Sequence, residues 1–430
     1  MPLRLARIAL AVAVLSIWIA RTAAAADAEL RITDVTLMPS PTVEPIAGAT
    51  VVVRRGEIAS IELEPTTAKP ARGKTIDGRG RFLTAGFWNC HVHFTPPVWG
   101  PPDSRTEEQT AELLRAMLTG FGFTSVVDTG SNPFWTGGLR QAIERGLPGP
   151  RILMAGGSFV GKDASPAYLD VKLPELVTAA QATTITTEVL DFGPDGIKIF
   201  TGSFVGPGEA AHMTLPVVRA VTAAAHARGV WVIAHPQSLH GIELAVDGGV
   251  DMLAHTAPDA GRLSDDLVQR LVDHEVALVP TLQLWRWELT RSGAPPPAVD
   301  RFQKTGVEQL RQMVDAGGEV LFGTDVGYMA DFDPTEEYRL MADAGMSPMQ
   351  ILASLTTTPA RRFEVGTGTV TVGDAADLVL LADDPREDPT AFARVDMAIR
   401  DGVVIFERKT DAATVDAADE PSAARPHAFE

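Results

Sequence analysis

Residues 87–94 read Phe-Trp-Asn-Cys-His-Val-His-Phe, and this stretch decides the fold prediction. It is an apolar run that ends in two histidines, His91 and His93, separated by a single residue. Successive side chains of a strand point to opposite faces, so both imidazoles are expected on the same side. Cys90 has the opposite parity and is expected to be a small buried apolar residue. The stretch is typical of a barrel strand whose C-terminal end contributes ligands to a metal site.

Seven further apolar runs follow, and amphipathic stretches separate them. Near-continuous Val, Ile and Leu runs are expected of parallel strands that are covered on both faces. Alternation of strand and helix over about 280 residues predicts an α/β fold, a (β/α)8 TIM barrel with its chemistry at the C-terminal strand ends. The eight runs are 82–94, 124–130, 151–159, 196–202, 230–236, 251–257, 277–285 and 320–327. The clearest helical stretches are 107–119, 215–228, 264–274 and 299–316.

The segments on either side of the barrel have a different character. Residues 30–74 and 366–408 are rich in Val, Ile, Thr and Gly, which predicts antiparallel strands, and turn-like Arg-Gly and Asp-Gly pairs interrupt them. Because these segments bracket the barrel, we expect both chain ends to form one small composite β-sandwich. The predicted division is a signal peptide at 1–26, the sandwich at 27–86 and 366–410, the barrel at 87–365 and a flexible tail at 411–430.

The first residues have the pattern of a secretory leader. Arg4 and Arg7 precede an apolar run, and small residues follow at 23–26. Cleavage there would leave Asp27 at the mature terminus and a periplasmic or secreted protein; an uncleaved N-terminal anchor is the alternative. Cys90 is the only cysteine, so stability is expected to come from a large core and not from an intrachain disulfide.

Composition limits the classes of partner. The formal net charge is −18 at pH 7, and such an acidic surface repels nucleic acid and anionic lipid. With 45% hydrophobic residues over 430 positions, the chain is expected to fold as one large and one smaller domain. The expected partner is therefore a small-molecule substrate, with no nucleic acid and no membrane once the leader is removed. Assembly into a homo-oligomer stays open.

Lys198 is the most unusual residue among the strand ends. Its neighbours Ile197 and Ile199 are expected to face the helices, so the lysine points into the barrel. Desolvation lowers the pKa of such an amine, and the neutral form can take up carbon dioxide as a carbamate that bridges two cations. The alternative is a structural lysine paired with Asp195 or Asp251.

Three further polar residues end apolar runs. His235 and His255 end the fifth and sixth runs, and Asp325 ends the eighth. Neutral imidazole is a common ligand of zinc-like cations, and a carboxylate beside a metal can bind it and also move protons. Each residue alone has a structural explanation, but their joint position at strand ends predicts a metal site.

Several short motifs resemble the amidohydrolase superfamily in order and in strand position. The motifs are HVHF (91–94), GIKIF (196–200), IAHP (233–236), LAHT (253–256), GTD (323–325) and the later GDAADLVLL (373–381). The likeness covers nearly all of the mature chain and looks closest to imidazolonepropionase-like and Xaa-Pro dipeptidase-like members.

The resemblance implies a cofactor arrangement. His91, His93 and Asp325 would hold one metal ion, His235 and His255 a second, and Lys198, as a carbamate, both. The implied cofactors are two divalent cations per chain, zinc or else manganese, cobalt or iron, together with carbon dioxide on the lysine.

The resemblance also implies the reaction. The chain would cleave an amide or peptide-like carbon–nitrogen bond of a small molecule, as a dipeptidase or an N-acyl amino acid amidase does, with a hydroxide bridged by the metals as nucleophile and Asp325 as the catalytic proton acceptor and donor. The alternatives are a mononuclear, imidazolonepropionase-like cyclic amidohydrolase, a lactonase or esterase, and a secreted protein that only binds a metal or a solute. Lys198 favours the binuclear branch, and Asp325 argues against pure binding.

The remaining candidates are weaker. His212, His240, Tyr328 and Arg286 lie just beyond strand ends, where loops contact substrates in barrel enzymes. Three further histidines are expected to be structural or solvated: His226, His274 and His427. The glycines at 156–157 and 206–208 lack the strand-turn-helix phosphate fingerprint, so nucleotide binding is disfavoured.

Overall fold

The structure, a computed structural model, describes residues 29–63, 73–206 and 208–409. The predicted signal peptide at 1–26, the predicted tail at 411–430 and His427 lie outside these residues. Within the described ranges none of the helices is both long enough and apolar enough to cross a bilayer.

The described residues form seventeen strands and eleven α-helices. The strands are β1 (Glu29–Leu37), β2 (Ile46–Arg54), β3 (Glu57–Glu62), β4 (Gly73–Asp77), β5 (Phe82–Ala85), β6 (Phe87–Val92), β7 (Phe123–Asp128), β8 (Arg151–Phe159), β9 (Gly196–Phe200), β10 (Gly202–Gly206), β11 (Glu209–His212), β12 (Trp231–His235), β13 (Met252–Ala254), β14 (Ala277–Val279), β15 (Leu378–Leu381), β16 (Val395–Arg400) and β17 (Val403–Glu407). The helices are α1 (Glu107–Met117), α2 (Pro133–Glu144), α3 (Ala179–Leu190), α4 (Leu215–His226), α5 (Leu239–Gly248), α6 (Asp265–Asp273), α7 (Leu282–Arg291), α8 (Pro296–Asp315), α9 (Thr335–Asp343), α10 (Pro348–Leu355) and α11 (Thr357–Arg362).

Seven parallel strands form a nearly closed barrel in the order β6-β7-β8-β9-β12-β13-β14. Segment 319–326 lies between the two edges of this sheet. Leu321 N donates to Leu278 O at 2.9 Å on one side, and Asp325 N donates to His91 O at 2.9 Å on the other. The predicted α/β fold with a parallel barrel is confirmed, but the predicted eighth strand pairs only through isolated bridges.

Two predicted strands were too long. The run 82–94 is divided at Gly86, whose N–H donates to Asp377 O, so that β5 joins a different sheet from β6. A side chain at Gly86 would place its Cβ 2.1 Å from Thr124 Oγ1, which explains why glycine occupies this close passage. The run 277–285 changes from strand to helix after Val279, because Pro280 cannot donate to a strand ladder and α7 begins directly afterwards.

Helices cover the outside of the barrel, and α1, α4, α6 and α8 match the four stretches predicted as helical within a few residues. Their ends follow local capping chemistry. Thr106 and Gln109 form a reciprocal capping box at the start of α1, and the Ser264 side chain accepts from Leu267 N at the start of α6.

The two chain ends meet in a second, eight-stranded sheet. Its order is β17-β16-β15-β5-β1-β2-β3, and β4 pairs with β1. The connection between the chain ends is the antiparallel pair β15 and β5, in which Leu380 faces Leu83. Two-residue turns at 55–56 and 401–402 have positive φ at both positions, which suits tight hairpins of twisted strands. The predicted junction of the chain ends is therefore present as one hydrogen-bonded sheet; its description as a two-layer sandwich stays a prediction.

Candidate metal centre

The six residues predicted as metal ligands all lie at the C-terminal side of the barrel, and we call them the candidate centre. His91, Lys198 and His235 belong to β6, β9 and β12, while the others follow β6, β13 and β14 in the chain. All except His93, whose side chain is 17% exposed, are buried. Parallel strands place these distant positions at one end of the barrel, which is why they converge.

His91, His93 and Asp325 form the tightest group. Asp325 Oδ1 lies 3.4 Å from His91 Nε2 and 3.1 Å from His93 Nε2, and the ligand atoms of the three residues lie within 4.8 Å of one another. Both ring nitrogens of His91 and the Oδ1 atom of Asp325 are buried without a hydrogen-bond partner. An unpaired buried polar atom costs about 1–3 kcal/mol, and a cation bound between these atoms would remove that cost. The group therefore fits a metal ion.

His235 and His255 form a second pair beside the first group. Their ring centroids are 4.9 Å apart, and the His255 ring centroid lies 4.5 Å from that of His91. His255 Nε2 lies 3.9 Å from Asp325 Oδ2, so the two oxygens of this carboxylate face different histidines. Five of the six predicted residues thus surround one small volume.

Burial favours the neutral form of three imidazoles of the candidate centre, those of His91, His235 and His255. It lowers the pKa of His235 to about 3, and it holds the pKa values of His91 and His255 well below their ordinary range; the Lys198 cation acts in the same direction on all three. Neutral imidazole is the form that binds a cation.

Lys198 is the sixth member, and it points into the barrel as predicted. Burial lowers its pKa to about 8, although Asp325 and Asp128 act in the opposite direction. The alternative partners are occupied elsewhere, since Asp195 pairs with Arg140 at 2.8 Å and Asp251 with His226 at 2.9 Å. The alternative explanation of Lys198, as a structural lysine paired with Asp195 or Asp251, is therefore wrong.

Four non-glycine residues around the centre adopt left-handed backbone conformations. These are His255 (φ 78°), Asp325 (φ 67°), Gln237 (φ 54°) and Thr281 (φ 44°). Such conformations cost about 1–3 kcal/mol each and persist where the surrounding structure demands them, often at functional sites.

Sequence reasoning missed the polar groups that support the candidate ligands. Asp128 ends β7 and accepts hydrogen bonds of 2.6 Å from Ser131 Oγ and Thr136 Oγ1, and the adjacent Thr129 Oγ1 lies 3.3 Å from His93 Nε2. The sequence does contain a signal for these residues, because Asp128 and Thr129 end an apolar run in the same way as the predicted ligands do.

Three aromatic residues, which we call the aromatic wall, cluster around Tyr328, three residues after Asp325 in the chain: Tyr168, Trp287 and Tyr328. The Tyr328 ring centroid is 5.9 Å from that of Tyr168 and 5.6 Å from that of Trp287. Tyr328 Oη donates to Glu288 Oε2 at 2.9 Å, and Arg291 pairs with Glu288 at 2.8 Å. Burial raises the pKa of both tyrosines, and the Asp325 carboxylate adds to the effect, so both tyrosines lie near Asp325.

The weaker candidates for substrate contact, His212, His240 and Arg286, lie in two separate parts of the structure. His212 Nε2 lies 2.7 Å from Ser238 Oγ, and the His212 and His240 rings are 4.9 Å apart, beyond the end of β12. Arg286 is instead bound to Gln303 and Asp300 of α8. His226 is bound to Asp251, and His274 is the exposed C-cap residue that follows α6, which agrees with the expectation that these two are structural or solvated.

This chain is similar in sequence and in fold to several known proteins. The profile of the Amidohydrolase family matches residues 82–405. A curated relative, an uncharacterized protein of Mycobacterium tuberculosis, is 27% identical over 347 residues, which cover 78% of this chain and 88% of the relative. Two solved structures are similar to this fold. An Xaa-Pro dipeptidase with bound methionine has a TM-score of 0.75 at 23% identity, covering 89% of this chain and 100% of that chain. A prolidase complexed with N-methylphosphonate-L-proline has a TM-score of 0.72 at 23% identity with the same coverage.

Proposed function

Since the chain belongs to the amidohydrolase family and is a hydrolase acting on carbon–nitrogen bonds, we propose that it cleaves an amide or peptide-like bond of a small molecule with the help of two divalent cations. The match of the family profile to residues 82–405 confirms the resemblance that the sequence motifs indicated. When bound, the cations would lower the pKa of water and polarise the scissile carbonyl.

The observation that carries the proposal is the group of buried, unpartnered ligand atoms on His91 and Asp325. His91, His93 and Asp325 would hold one cation. His235 and His255 would hold the second, and Lys198, carboxylated by carbon dioxide, would bridge both. The pKa of the lysine, about 8, leaves a fraction of neutral amine that can react with carbon dioxide near neutral pH.

In the proposed reaction, Asp325 moves the proton. Its two oxygens face His91 and His93 on one side and His255 on the other, and its side chain is only 6% exposed. A carboxylate in this position would accept a proton from the attacking water and deliver it to the leaving nitrogen. Because bulk water is nearly excluded, the proton would pass to the leaving group before it exchanges with solvent.

The aromatic wall indicates the part of the substrate that lies outside the reaction centre. Aromatic rings gain most from contact with flat or apolar groups. Among the described residues, the cation that lies over the Trp287 ring of this wall is Arg291, and it is paired with Glu288. We propose a substrate in which the group beside the bond is apolar or aromatic, such as an N-acyl amino acid or a peptide-like amide.

The test combines metal analysis with a substrate panel. Protein prepared in zinc- or manganese-containing medium should carry about two cations per chain and hydrolyse some members of a panel of N-acyl amino acids, Xaa-Pro dipeptides and neutral aryl amides. His91→Asn should lose both metal and activity, whereas the surface variant His226→Asn should lose neither.

Other outcomes would select the alternatives. Hydrolysis of lactones or esters without amides would identify an esterase, and one cation per chain with full activity would identify a mononuclear enzyme. Stoichiometric metal without turnover of any substrate would leave a metal- or solute-binding protein.

We also propose that the mature protein is periplasmic or secreted and acts on a small molecule without nucleic acid or membrane partners, while a homo-oligomer stays open. Support comes from the leader-like pattern at 1–26 and the net charge of −18. The finer architecture that we propose is a complete (β/α)8 barrel with segment 319–326 as its eighth strand, and a composite β-sandwich from both chain ends.

A further inference from the structure

Gln237 connects two strand ends of the barrel beside the candidate centre. Its Oε1 atom lies 3.2 Å from His235 Nε2, and its Nε2 atom donates to Asp259 Oδ2 at 2.8 Å. Gln237 comes two residues after the end of β12, and Asp259 follows β13. The sequence around Gln237 suggested no role, so the contact is information that only the folded chain provides.

The chemistry of these three groups determines where the His235 proton lies. An ionised carboxylate only accepts hydrogen bonds, so the amide NH2 of Gln237 must face Asp259 and its carbonyl must face His235. A carbonyl also only accepts, so Nε2 of His235 must carry the proton. In a neutral imidazole one ring nitrogen carries the proton and the other has a lone pair, so the proton on Nε2 leaves the lone pair on Nδ1.

His255 shows the opposite arrangement. Its Nδ1 atom lies 2.7 Å from Thr281 Oγ1, and the Thr281 hydroxyl donates to Pro280 O at 2.9 Å. A hydroxyl has one proton, so towards His255 it acts as acceptor, and Nδ1 of His255 carries the ring proton. Its Nε2 lone pair is then free, and this is the atom that faces Asp325.

We infer that Gln237 and Asp259 form a relay that fixes the orientation of His235 and holds it as the Nε2–H tautomer, so that its Nδ1 lone pair stays free. The relay deepens the proposed function, on which it rests for the identity of the ligand. Gln237 and Asp259 are positioning residues, since they act through His235. Partners of this type usually set the orientation and basicity of a ligating histidine.

The backbone at Gln237 gives independent support. Its φ of 54° lies in the left-handed region, where glycine is tolerated without strain and a side chain is not. A glutamine at this position therefore lowers stability through backbone strain. The hydrogen bonds of its side chain to His235 and Asp259 offset that strain.

The relay predicts how each variant affects the tautomer. Gln237→Ala removes the acceptor, so His235 should populate both tautomers. Asp259→Leu frees the amide to rotate and to present its NH2 to His235, which would move the proton to Nδ1. Asp259→Asn should preserve the wild-type state, because the asparagine carbonyl can accept from Gln237. Gln237→Gly relieves the backbone strain, so it should fold even if Gln237→Ala does not.

The direct measurement is the histidine tautomer in metal-free protein labelled with ¹⁵N-histidine. The His235 signals are identified as those missing from a His235→Asn sample. Wild type and Asp259→Asn should show protonated Nε2, and Asp259→Leu should show protonated Nδ1. Wild-type protein with protonated Nδ1, or an unchanged tautomer in both Gln237→Ala and Asp259→Leu, would overturn the relay.

The second measurement is zinc affinity by competition with a chelator. Gln237→Ala and Asp259→Leu should bind one zinc ion about 10–100-fold more weakly. The matched control is Gln269→Ala, because Gln269 Nε2 donates to Asp273 Oδ1 at the same 2.8 Å on exposed α6 and should leave the affinity unchanged. Equal affinity of all variants would contradict the relay. Neither readout uses turnover, so a protein that binds zinc but hydrolyses nothing would refute the proposed function and leave the relay standing.

Discussion

Asn89 and Thr324 bind the first barrel strand to the segment that carries Asp325. Asn89 Nδ2 donates to Thr324 Oγ1 at 2.8 Å, and Thr324 N donates to Asn89 Oδ1 at 3.2 Å, across 235 positions of sequence. Asn89 is fully buried and lies two residues before His91. Segment 319–326 lacks a regular strand ladder, so this pair helps to keep Asp325 beside the two histidines.

Removing the Asn89 amide should therefore loosen both the barrel and the candidate centre. Asn89→Ala is expected to lower the free energy of unfolding by about 2–3 kcal/mol, because it leaves buried donors without acceptors, and to weaken metal binding. Denaturant unfolding and metal content measure the two effects. Asn132→Ala, which removes an exposed helix cap on α2, should cost about 1 kcal/mol without changing metal content. An Asn89→Ala protein with normal metal content would refute the coupling.

Lys198 should control the number of bound cations. Lys198→Ala is expected to lower metal content from about two towards one per chain and to reduce turnover by several orders of magnitude, since water activation and carbonyl polarisation both depend on the pair. Short carboxylic acids should restore part of the activity by occupying the vacated space. If the variant kept both its metal content and most of its rate, the lysine would be structural. The mononuclear alternative, with His91, His93, His235, His255 and Asp325 alone, would then be preferred.

Glu337 should make stability depend on pH. It is fully buried, and its two carboxylate oxygens accept from Leu282 N and Gln283 N at the start of α7 at 2.9 Å and 2.8 Å. Burial raises its pKa from 4.5 to about 8, despite these hydrogen bonds. Between these values the folded state keeps a proton that the unfolded state has lost, so this group makes stability fall as pH rises, by up to roughly 5 kcal/mol.

Glu337→Gln should remove this contribution. Unfolding free energies at pH 5 and pH 8 should differ less in the variant than in wild type. The neighbouring Glu336→Gln is the control, because the pKa of Glu336 is lowered by its hydrogen bond to Arg339 and its titration affects only more acidic conditions. Equal pH dependence of Glu337→Gln and wild type would show that Glu337 is ionised in the folded protein throughout this range.

The aromatic wall should contribute to binding and not to chemistry. Tyr168→Ala is expected to raise KM about 5–30-fold for a substrate with an aromatic group beside the bond, which corresponds to about 1–2 kcal/mol of lost contact, with little change in kcat. The corresponding methyl substrate should be affected much less. Phe134→Ala, which removes a side chain that is 76% exposed on α2, serves as control. An equal loss for both substrates would contradict a role of the wall in specificity.

The predicted leader can be tested directly. Mature material isolated from the periplasm or the medium should begin close to Asp27, because small residues precede this position. N-terminal sequencing that returns Met1 would instead support the uncleaved anchor.

Local patterns were enough to predict the barrel and to select the candidate ligand residues that converge at one end of it. Strand alternation is a local rule, so the inward direction of His91, His93 and Lys198 followed from their neighbours alone. The same patterns failed at 82–94 and 277–285, where an apolar run continues through a change of sheet or into a buried helix. Hydrophobicity reports burial, and it does not distinguish a strand from the buried face of a helix.

By itself the sequence determined which polar side chains end the apolar runs, and therefore the family and the residues available to a metal. Only the tertiary structure decided which atoms meet: Asp325 Oδ1 beside His93 Nε2 at 3.1 Å, and Gln237 between His235 and Asp259. Distances between separate segments depend on how the barrel closes and on left-handed backbone turns at strand ends. Neither leaves a periodic signal in the chain, so the candidate centre could be predicted as a set of residues but not as a geometry.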